Sequence, residues 1–397
     1  MISVDAYRAI VTDLIGHASI TAVPLAEAAG LVLARDVPAG VALPPFDNSA
    51  MDGYAVRAAD VAGAPVTLPV ADDIPAGRVD VAPLEPGTAH RIMTGAPLPP
   101  GADAVVMVEK TDGGTTDVRI DHRATAGDHV RRTGEDVRKG TVALHAGTVL
   151  GHSQLGLAAA VGLAEVVVYR PLSVLVVSTG TELVTAPDPL RYGQIYESNS
   201  VMLAAALRGL GCRVQVVRSV VDDVEEFRKI VEPKLAESDL LVTSGGVSAG
   251  AYEVVKDALT AHGVEFRKIA MQPGGPQGCG RWNGVPVVTL PGNPVSVLVS
   301  FEAFLRPALL AAMGHTALER RQVRARLTED MPSPEGRRQY RRGFYTQADG
   351  EVTGIVGPRG GPGSHLLAAF TQANCLIVLP EEVTSAAEGA EVDVLLL

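Results

Sequence analysis

Residues 172–178 read LSVLVVS, a continuous apolar run typical of a strand that is buried on both faces of a sheet. Apolar runs and helix-like segments alternate from there to residue 313. The predicted strands are residues 172–178, 213–220, 239–244, 264–271 and 285–290. Because strands that alternate with helices at this spacing usually pair in parallel, we expect a mostly parallel sheet with helices on both faces, an α/β/α domain.

The pattern of apolar residues changes on either side of residues 172–313. Short apolar runs broken by Gly, Pro and Asp precede these residues and predict a β-rich insertion, and strands and turns return after them. Near the N-terminus, Val4, Tyr7 and Val11 are among the residues that share one face of a predicted helix. We predict four domains: a discontinuous N-terminal domain (1–40 and 141–171), the insertion (41–140), the α/β domain (172–316) and a C-terminal domain (317–397).

Composition and charge limit the classes of function. The chain has 397 residues, 47% of them apolar, and no low-complexity run, as in a well-packed soluble protein of several domains. Its formal net charge of -11 disfavours an electrostatic nucleic-acid surface. The three cysteines are scattered, so neither a disulfide framework nor a paired-cysteine metal site is expected. The start of the chain does not resemble a signal peptide, and we expect a cytoplasmic protein.

The most apolar helical run, residues 294–313, raises the question of a membrane span. A span requires about 20 predominantly apolar residues. Glu302 and Arg306 place two charges within this run, which predicts a helix buried in the protein core. We therefore expect neither a membrane nor a nucleic acid among the partners.

The loops after the predicted strands are the expected ligand site, because ligands of open α/β sheets lie beyond the carboxyl ends of the strands. These loops are TGTEL (179–183), VDD (221–223), SGGVSAG (244–250), QPGGPQGCG (272–280) and PGNPVS (291–296). Backbone N–H groups of a glycine-rich loop before a helix suit a phosphate or oxyanion. The chain has no Walker A motif, and SGGVSAG does not match GxGxxG. An ordinary strand-to-helix turn explains SGGVSAG equally well.

Acidic residues stand among these loops. Glu182, Asp222 and Asp223 lie in them, and Glu253 lies just inside the helix after SGGVSAG. Taken singly, Asp222 and Glu253 are explained by the preference for acids at helix N-termini. Together, beside a phosphate-type loop, the acids favour a hydrated Mg²⁺, which binds one or two carboxylates and substrate phosphate.

A second polar stretch lies in the insertion, where residues 44–56 read PPFDNSAMDGYAV. A turn needs only turn-forming residues. This one also carries Asp47 and Asp52 among the aromatic and sulfur side chains of Phe46, Met51 and Tyr54. The residues alone leave two interpretations open: a turn that carries surplus polar side chains, or a loop that faces a ligand.

Seven segments occur in one order and spacing: PPFDNSAMDGYAV, IMTGAPLPPGADAVVMVE, RRTGEDV, VSTGTELV, GQIYESNSVML, TSGGVSAGAYEVVKDAL and LPGNPVSVLVSFE. Together they resemble the molybdopterin molybdenumtransferase family, MoeA and the E domain of gephyrin, over essentially the whole chain. The resemblance implies Mg²⁺-dependent cleavage of adenylylated molybdopterin, insertion of molybdenum from molybdate into the dithiolene, and release of AMP and molybdenum cofactor. It also implies a C-terminal β-barrel and a homodimer whose active site lies between the insertion of one subunit and the α/β domain of the other.

The resemblance assigns roles to matching positions. In the insertion, the implied catalytic residues are Asp52, Thr94 and Asp136. In the α/β domain, the implied acids are Glu182, Asp222 and Glu253, with Glu182, Asp222 and Asp223 as metal ligands. The implied pterin-phosphate cradle is Gly245, Gly246, Ser248, Pro291, Gly292, Asn293 and Ser296. The implied molybdate ligands are Arg337 and Ser364. Without the resemblance, Asp136 reads as an ion-pair partner of Arg131 or Arg132, and Arg337 with Arg338 as a solvated basic patch.

The chain departs from the family in one loop. The family loop typically reads KPGKP or QPGKP, whereas Gln272 and Gly275 stand at the two lysine positions here. Loss of a charge-assisted hydrogen bond, worth roughly 1.5–3 kcal/mol, weakens anion binding by about 10- to 150-fold. A smaller departure is Glu253, where the family usually has Asp.

Three functions therefore remain open. The first is an active molybdenum-inserting enzyme. The second is a non-catalytic divergent paralogue that binds or delivers molybdenum cofactor to apo-molybdoenzymes or other biosynthesis proteins, or acts as a scaffold. The third is a nucleotide-type transferase such as the related molybdopterin adenylyltransferase, against which the long insertion and the C-terminal domain argue. We predict the first.

Overall fold

The computed structural model describes residues 1–219, 224–246 and 254–397. These residues form two compact units. One unit comprises Met1–Thr21, Gly30–Ala34 and Val168–Leu397, and the other comprises Ala22–Ala29 and Arg35–Val167. The four domain boundaries drawn from the sequence are finer than this division, and they stay predictions.

The helices of the described chain are short to medium in length. They are α1 Val4–Ile15, α2 His152–Ala160, α3 Asn199–Gly209, α4 Val224–Leu235, α5 Val254–Thr260, α6 Pro294–Ser300, α7 Arg306–Ala312 and α8 Leu367–Thr371, with a π-helical turn at Phe301–Leu305 and 3-10 turns at Leu25–Glu27, Ala58–Val61 and Val108–Lys110. Helix α1 confirms the apolar face expected near the N-terminus, because Val4, Tyr7 and Val11 are all fully buried.

The longer strands form three main sheets. The second unit contains β1 Gly53–Val56, β2 Val66–Ile74, β3 Ala89–Ile92, β4 Ala104–Met107 and β5 Asp117–Ile120. The α/β sheet contains β6 Ser173–Thr179, β7 Arg213–Ser219, β8 Leu240–Ser244, β9 Glu265–Lys268, β10 Pro276–Trp282 and β11 Val285–Leu290. The C-terminal sheet contains β12 Gln322–Leu327, β13 Arg338–Thr346, β14 Gly354–Pro358, β15 Cys375–Leu379 and β16 Glu391–Leu396.

The remaining strands are short, and all of them except Met271–Gln272 form two-stranded sheets. They are Ile20–Pro24, Val37–Pro38, Asn48–Ser49, Val130–Arg131, Val142–Leu144, Glu165–Tyr169, Leu183–Val184, Ile195–Tyr196, Met271–Gln272, Met331–Pro332 and Ser385–Ala386. Of these, Met271–Gln272 matters most for the site, because it pairs in parallel with the start of β13.

The α/β sheet has the strand order β7-β6-β8-β11-β10-β9. The first four strands are parallel, as predicted, but β10 runs antiparallel to both of its neighbours. The prediction of QPGGPQGCG as one loop is therefore wrong for its second half, which belongs to β10. The mostly parallel α/β sheet itself is confirmed, and its parallel strands bring their carboxyl ends to one edge.

Both faces of the α/β sheet are buried. In β6, Val174 and Val176 lie in one apolar cluster with residues of α1, α3, α6 and α7, whereas Leu175 and Val177 lie in a second cluster with residues of α4 and α5. This alternation of faces explains the continuous apolar run at 172–178, because every residue of the strand meets a helix layer. Trp282 is fully buried in the second cluster and stacks on Phe227.

The apolar run at 294–313 forms α6, the π-helical turn and α7 in succession, so the single long helix expected there carries an irregular middle turn. Pro294–Ala312 is long and apolar enough to cross a membrane, but most of it is buried inside the protein. Its two charges find partners, since Glu302 ion-pairs with Arg320 at 2.9 Å and lies 3.9 Å from Arg306. The prediction of a buried core helix is confirmed.

The C-terminal strands close into a barrel. The ring β13-β14-β12-β16-β15 returns to β13 through the antiparallel pairing of β13 with β15. Ala325, Ile377 and Val394 are fully buried in its interior. In the second unit, the sheet order is β4-β1-β3-β2-β5, and an irregularity in the register between β2 and β3 accompanies its curl. The expected C-terminal barrel and β-rich insertion are both present.

Candidate functional site

A cleft of about 950 Å³ lies at the carboxyl edge of the α/β sheet, within the first unit. Its walls include the ends of β6 and β8, the segment after β11 and the turn before β10. The barrel contributes Arg337, Ser364 and His365. The topological expectation that a ligand site lies beyond the strand ends is therefore matched by a cavity of the size that binds small molecules.

Two glycine loops meet at the base of this cleft. Gly245 follows β8 with a φ of +91°, and a Cβ there would lie 2.8 Å from the backbone oxygen of Thr179. The N–H of Gly245 donates to the carbonyl oxygen of Leu290 at 3.2 Å. Gly292 lies beside it, since a Cβ on Gly292 would be 3.5 Å from the Cα of Gly245. A side chain is thus excluded at Gly245, where backbone groups approach closely.

Asn199 links the helix after β6 to this pair of loops. Its Nδ2 donates to the carbonyl oxygen of Gly292 at 2.7 Å, while its Oδ1 is buried and has no hydrogen-bond partner among the described residues. The hydroxyls of Ser178 and Ser244, at the ends of β6 and β8, are likewise buried and unpaired in the described chain. Unpaired polar atoms that line one cavity are suited to bind a polar ligand or water.

The barrel side of the cleft is held by a chain of hydrogen bonds. Asn293 caps α6 with its backbone, but its Nδ2 donates to Ser364 Oγ at 2.7 Å instead of closing the helix end. The N–H of Val295 donates to the carbonyl oxygen of Ser364 at 3.0 Å. Two predicted site residues, one from the α/β domain and one from the barrel, therefore contact each other directly.

Arg342 fixes the loop that carries Ser364. Its guanidinium is buried and donates to three backbone carbonyls, those of Gly363 at 3.0 Å, Arg359 at 3.4 Å and Gly361. Burial, and then the neighbouring positive charge of Arg341, lower the pKa of Arg342 from its ordinary value. A buried arginine that uses its donors on one loop orders that loop.

The charged groups of the cleft fall into two classes. Glu197 is committed, because its carboxylate accepts from the N–H and the hydroxyl of Ser200 at 2.7 and 2.6 Å. Glu182, Arg337 and Lys268 line the cleft without a hydrogen bond or ion pair from their side chains to any described residue. Arg338, by contrast, ion-pairs with the carboxylates of Asp5 and Glu381.

The second unit holds the polar stretch at 44–56. Asp52 Oδ1 accepts hydrogen bonds from the N–H and the hydroxyl of Thr94 at 2.7 and 2.8 Å. These hydrogen bonds, the backbone one first, lower the pKa of Asp52 from its ordinary value. Asp52 is therefore an exposed, ionised carboxylate with one oxygen fixed and the other free for a ligand.

The rest of that stretch is structural. Asp47 accepts from the N–H and hydroxyl of Thr133 at 2.8 Å and ion-pairs with Arg132 at 2.7 Å, which lowers the pKa of Asp47. Tyr54 is fully buried, and its hydroxyl donates to the carbonyl oxygen of Gly114 at 2.8 Å. Tyr54 thus anchors the loop, whereas Phe46 is exposed.

Asp136 lies beside a smaller cavity of about 390 Å³ in the second unit, together with Arg131. Its side chain forms no ion pair with Arg131 or Arg132 in the part of the chain that the structure describes. Arg132 pairs with Asp47 instead. The simple ion-pair explanation of Asp136 is therefore wrong, and its carboxylate stays available for another role.

The structure brings most of the predicted α/β-domain residues into one cleft. Those that line it are Glu182, Gly245, Gly246, Pro291, Gly292, Asn293, Ser296, Arg337 and Ser364. Four predicted site residues, Asp222, Asp223, Ser248 and Glu253, lie outside the described residues. Among the described residues, no group of three or more His, Cys, Asp or Glu side chains could hold a metal ion.

Sequence reasoning missed three cleft residues. Asn199 was quoted only as part of a longer motif, although an asparagine in the first turn of a helix after a strand is a signal for polar contacts at that strand end. Ser178 was overlooked because it completes an apolar strand. Lys268 was overlooked because a single lysine at the end of a strand resembles any solvated lysine.

Comparison with known families covers almost the whole chain. Residues 2–162 match the MoeA N-terminal region (domain I and II), residues 175–311 match a probable molybdopterin binding domain, and residues 324–397 match the MoeA C-terminal region (domain IV). The chain belongs to the MoeA family.

Relatives of the family agree over full length. The molybdopterin molybdenumtransferase 2 of Mycobacterium tuberculosis is 52% identical, and the match covers 99% of each chain. The molybdopterin molybdenumtransferase of Haemophilus influenzae is 39% identical over 93% of this chain and 92% of its own. The crystal structure of the molybdopterin biosynthesis MoeA protein from Pyrococcus horikosii is 33% identical and superposes with a TM-score of 0.85, covering 100% and 99% of the two chains. The resemblance drawn from the seven segments is confirmed.

Proposed function

We propose that this chain is a molybdopterin molybdenumtransferase that uses adenylylated molybdopterin and molybdate as substrates. The pyrophosphate linkage is cleaved, molybdenum enters the dithiolene, and AMP and molybdenum cofactor leave. The observation that carries the proposal is the meeting of the Gly245 and Gly292 loops with Arg337 and Ser364 on one cleft. Full-length relatives that bear the transferase name support it.

Different residues of the cleft would bind the two substrates. Gly245, Gly246 and the segment from Pro291 to Ser296 are proposed to cradle the pterin phosphate through backbone N–H groups. Ser248 is proposed as a further member of that cradle. Arg337 and the hydroxyl of Ser364 are proposed to bind molybdate, because a charged donor and a hydroxyl are suited to an oxyanion.

Mg²⁺ is proposed as the cofactor. Glu182 fits, because it presents a carboxylate to the cleft without a partner among the described residues, and Mg²⁺ prefers such hard oxygen ligands. Asp222 and Asp223 are proposed as further ligands, and Glu253 as a catalytic acid. When bound, Mg²⁺ neutralises charge on phosphate oxygens. Glu182 would hold the ion at the edge of the strands, where the cleft lies.

Asp52 and Thr94 are proposed to complete the site from a second subunit of a homodimer, with Asp136 as a further catalytic residue. The fixed, ionised carboxylate of Asp52 is suited to accept a hydrogen bond from a water molecule and to orient it. An active site shared between subunits explains why the most polar loop of the insertion carries a free carboxylate oxygen.

A cytoplasmic location is proposed. All three cysteines are buried free thiols, and burial raises the pKa of Cys212 and of Cys375 to about 12, so they are protonated and unreactive at neutral pH. This agrees with a reducing compartment. Apo-molybdoenzymes and other proteins of cofactor biosynthesis are proposed as receivers of the product.

Purified protein incubated with adenylylated molybdopterin, Mg²⁺ and molybdate tests the activity. AMP release and reconstitution of an apo-molybdoenzyme should both exceed those of an Asp52→Ala control by about 100-fold or more. If neither exceeds the control while molybdopterin still binds, the chain is a non-catalytic member that binds or delivers the cofactor or acts as a scaffold.

The Mg²⁺ assignment has its own test. Glu182→Gln should raise the Mg²⁺ concentration needed for half-maximal AMP release, while Glu225→Gln on α4, which also neutralises an exposed carboxylate, should not. An unchanged Mg²⁺ requirement in Glu182→Gln would remove Glu182 from the proposed ligands.

A further inference from the structure

A two-pronged ion pair joins the first turn of α1 to the start of the barrel. Asp5 lies in that first turn, and Arg338 is the first residue of β13. Nη1 of Arg338 donates to Oδ1 of Asp5 at 2.9 Å, and Nη2 donates to Oδ2 at 2.7 Å. Two parallel hydrogen bonds between a guanidinium and a carboxylate fix the orientation of both groups.

The residue before this ion pair is Arg337, which lines the cleft and has no side-chain partner of its own among the described residues. Its two chain neighbours are both anchored at Glu381, a residue of the barrel. The N–H of Gly336 donates to the carbonyl oxygen of Glu381 at 2.9 Å, and Arg338 pairs with the Glu381 carboxylate at 3.2 Å. These contacts tie Arg337 to the barrel, whereas the Asp5 pair ties it to α1.

Helix α1 is itself tied to the wall of the cleft through the segment 268–272. The N–H of Ile2 donates to the carbonyl oxygen of Lys268 at 3.1 Å, and the N–H of Ala270 donates to that of Ile2 at 2.8 Å. The N–H of Arg338 donates to the carbonyl oxygen of Ala270 at 2.9 Å. Helix α1 begins two residues after Ile2, so its first turn stands beside the start of β13 on a fixed backbone.

The backbone pairing at this point is short. Met271 and Gln272 pair in parallel with Arg338 and Gln339, two residues on each strand. A two-residue pairing supplies few hydrogen bonds, so a side-chain ion pair at its first residue adds a large share of the local anchoring. The hydrogen bonds from Arg338, as the largest cause, lower the pKa of Asp5 from its ordinary value, so the carboxylate is ionised at neutral pH and the pair is intact.

We propose that Asp5 is a positioning residue for the molybdate subsite: through its ion pair with Arg338, it holds the start of β13 so that Arg337 faces the cleft. The proposal rests on the function proposed above. It gives α1, which contributes no residue to the lining of the cleft, a direct influence on the affinity for molybdate.

Asp5→Asn is the first variant, because asparagine keeps the shape of the side chain and removes its charge. The KM for molybdate should rise about fivefold, the upper end for an exposed ion pair, because two charge-assisted hydrogen bonds are weakened. The affinity for molybdopterin, measured by fluorescence titration, and kcat at saturating molybdate should stay within about twofold. Asp13→Asn is the matched control, since Asp13 lies exposed on the same helix without a side-chain partner among the described residues, and it should change none of these values.

Two further substitutions at the same position test the charge. Asp5→Glu keeps a carboxylate that can reach Arg338, so the KM for molybdate should stay within about twofold of the wild type. Asp5→Arg places a like charge beside Arg338 and should raise the KM about tenfold or more. A KM that does not follow the order Glu, Asn, Arg would contradict a role of the ion pair.

Val11→Ala separates positioning from stability. Val11 is fully buried on the apolar face of α1 and does not take part in the ion pair. Its truncation should lower the free energy of unfolding, measured by chemical denaturation, more than Asp5→Asn does. The KM for molybdate should nevertheless stay at the wild-type value. A KM raised as much as in Asp5→Asn would show that general loosening of the helix, not the ion pair, changes the cleft, and would overturn the inference.

A double-mutant cycle tests whether Asp5 acts through Arg337. Molybdate binding is measured by equilibrium dialysis in the Arg337→Gln background, with and without Asp5→Asn. Because the group that Asp5 positions is already gone, Asp5→Asn should change the remaining affinity by less than about twofold. A fivefold loss that persists in this background would mean that Asp5 acts on another part of the molecule.

Equilibrium dialysis also distinguishes failure of this inference from failure of the proposed function. If the wild type turns over substrate and Asp5→Asn leaves the KM for molybdate unchanged, or changes kcat or molybdopterin affinity instead, the inference is overturned. If the wild type binds molybdate without turnover, the proposed function fails, and weaker dialysis binding by Asp5→Asn but not by Asp13→Asn still supports the inference. Equal binding by the two variants overturns it, and so does a wild type that binds no molybdate.

Discussion

The cleft of the α/β domain and the Asp52 loop of the insertion present opposite chemistry. The cleft offers backbone N–H groups, hydroxyls and two free cations, Arg337 and Lys268, beside a free carboxylate on Glu182. The Asp52 loop offers an exposed carboxylate whose position is fixed by Thr94. In the function proposed above, the first region binds the anionic substrates, and the second positions a carboxylate oxygen for the reaction.

This difference predicts that substrate binding and the rate of reaction depend on different residues. Mutations in the cleft should mainly change affinities, because they remove contacts that bind substrate in the ground state and the transition state alike. Mutations at Asp52 or Thr94 should mainly change the rate or its pH dependence. The following variants test that division, from the largest expected effect to the smallest.

Gly245→Ala should damage the cleft most. The residue has a φ of +91°, and a Cβ would lie 2.8 Å from the carbonyl oxygen of Thr179, so the loop must shift. We expect a loss of about 1–3 kcal/mol in unfolding free energy and at least about a tenfold loss in molybdopterin affinity. Chemical denaturation and fluorescence titration measure the two effects.

Gly292→Ala is the matched control for that variant. Among the described residues, its Cβ would meet only the Cα of Gly245, at 3.5 Å, an ordinary contact. Stability should stay within about 0.5 kcal/mol of the wild type. Equal damage from the two alanines would show that close backbone approach at Gly245 is not what shapes the cleft.

Arg342→Lys should weaken molybdate binding without touching the substrate. Lysine keeps the charge but lacks the planar fork whose three nitrogens reach the carbonyls of Arg359, Gly361 and Gly363, so the loop that carries Ser364 should loosen. The KM for molybdate should rise about five- to tenfold, with kcat at saturating molybdate and the affinity for molybdopterin nearly unchanged. Arg324→Lys, at an exposed ion pair on β12, is the control and should leave the KM for molybdate as it is.

Thr94→Val should change the pH dependence of AMP release and little else. The hydroxyl hydrogen bond that helps to lower the pKa of Asp52 is lost, while the N–H of Thr94 still donates to it. The pKa of Asp52 should therefore rise towards its ordinary value. Because the ionised carboxylate is the proposed active form, the acid limb of kcat/KM for AMP release should move to higher pH, with no change near pH 7. An acid limb that stays in place would mean that another group controls it.

Much of the fold follows from hydrophobic pattern alone. The continuous apolar run of β6 and the alternation after it predict the parallel strands correctly, because each is covered by helices on both faces. Strand β10 was not predicted, because its glycines resemble those of a turn. At Gly280, a Cβ would lie 2.5 Å from the carbonyl oxygen of Gly263, so the glycine permits close packing of neighbouring backbone within the sheet.

The site was only partly predictable from the residues themselves. Glu182 and the Gly245 loop follow from topology, because strand ends meet at one edge. Arg337 and Ser364 came only from the family resemblance, since nothing local shows that the barrel reaches this edge. Lys268 was not predicted as a cleft residue. Its place in the cleft follows from the strand register of β9, and it stands out as a cation only because Arg338 is ion-paired elsewhere.

The most direct test of the central claim mixes two impaired variants. Asp52→Ala and Glu182→Gln, each purified alone and assayed at the Mg²⁺ concentration that half-saturates the wild type, should release AMP at a small fraction of the wild-type rate. If Asp52 of one subunit serves the cleft of its partner, co-refolded heterodimers contain one intact site, and random assortment restores about a quarter of wild-type activity. Activity that stays at the sum of the two separate variants, while mass spectrometry shows heterodimers, would contradict a site shared between subunits.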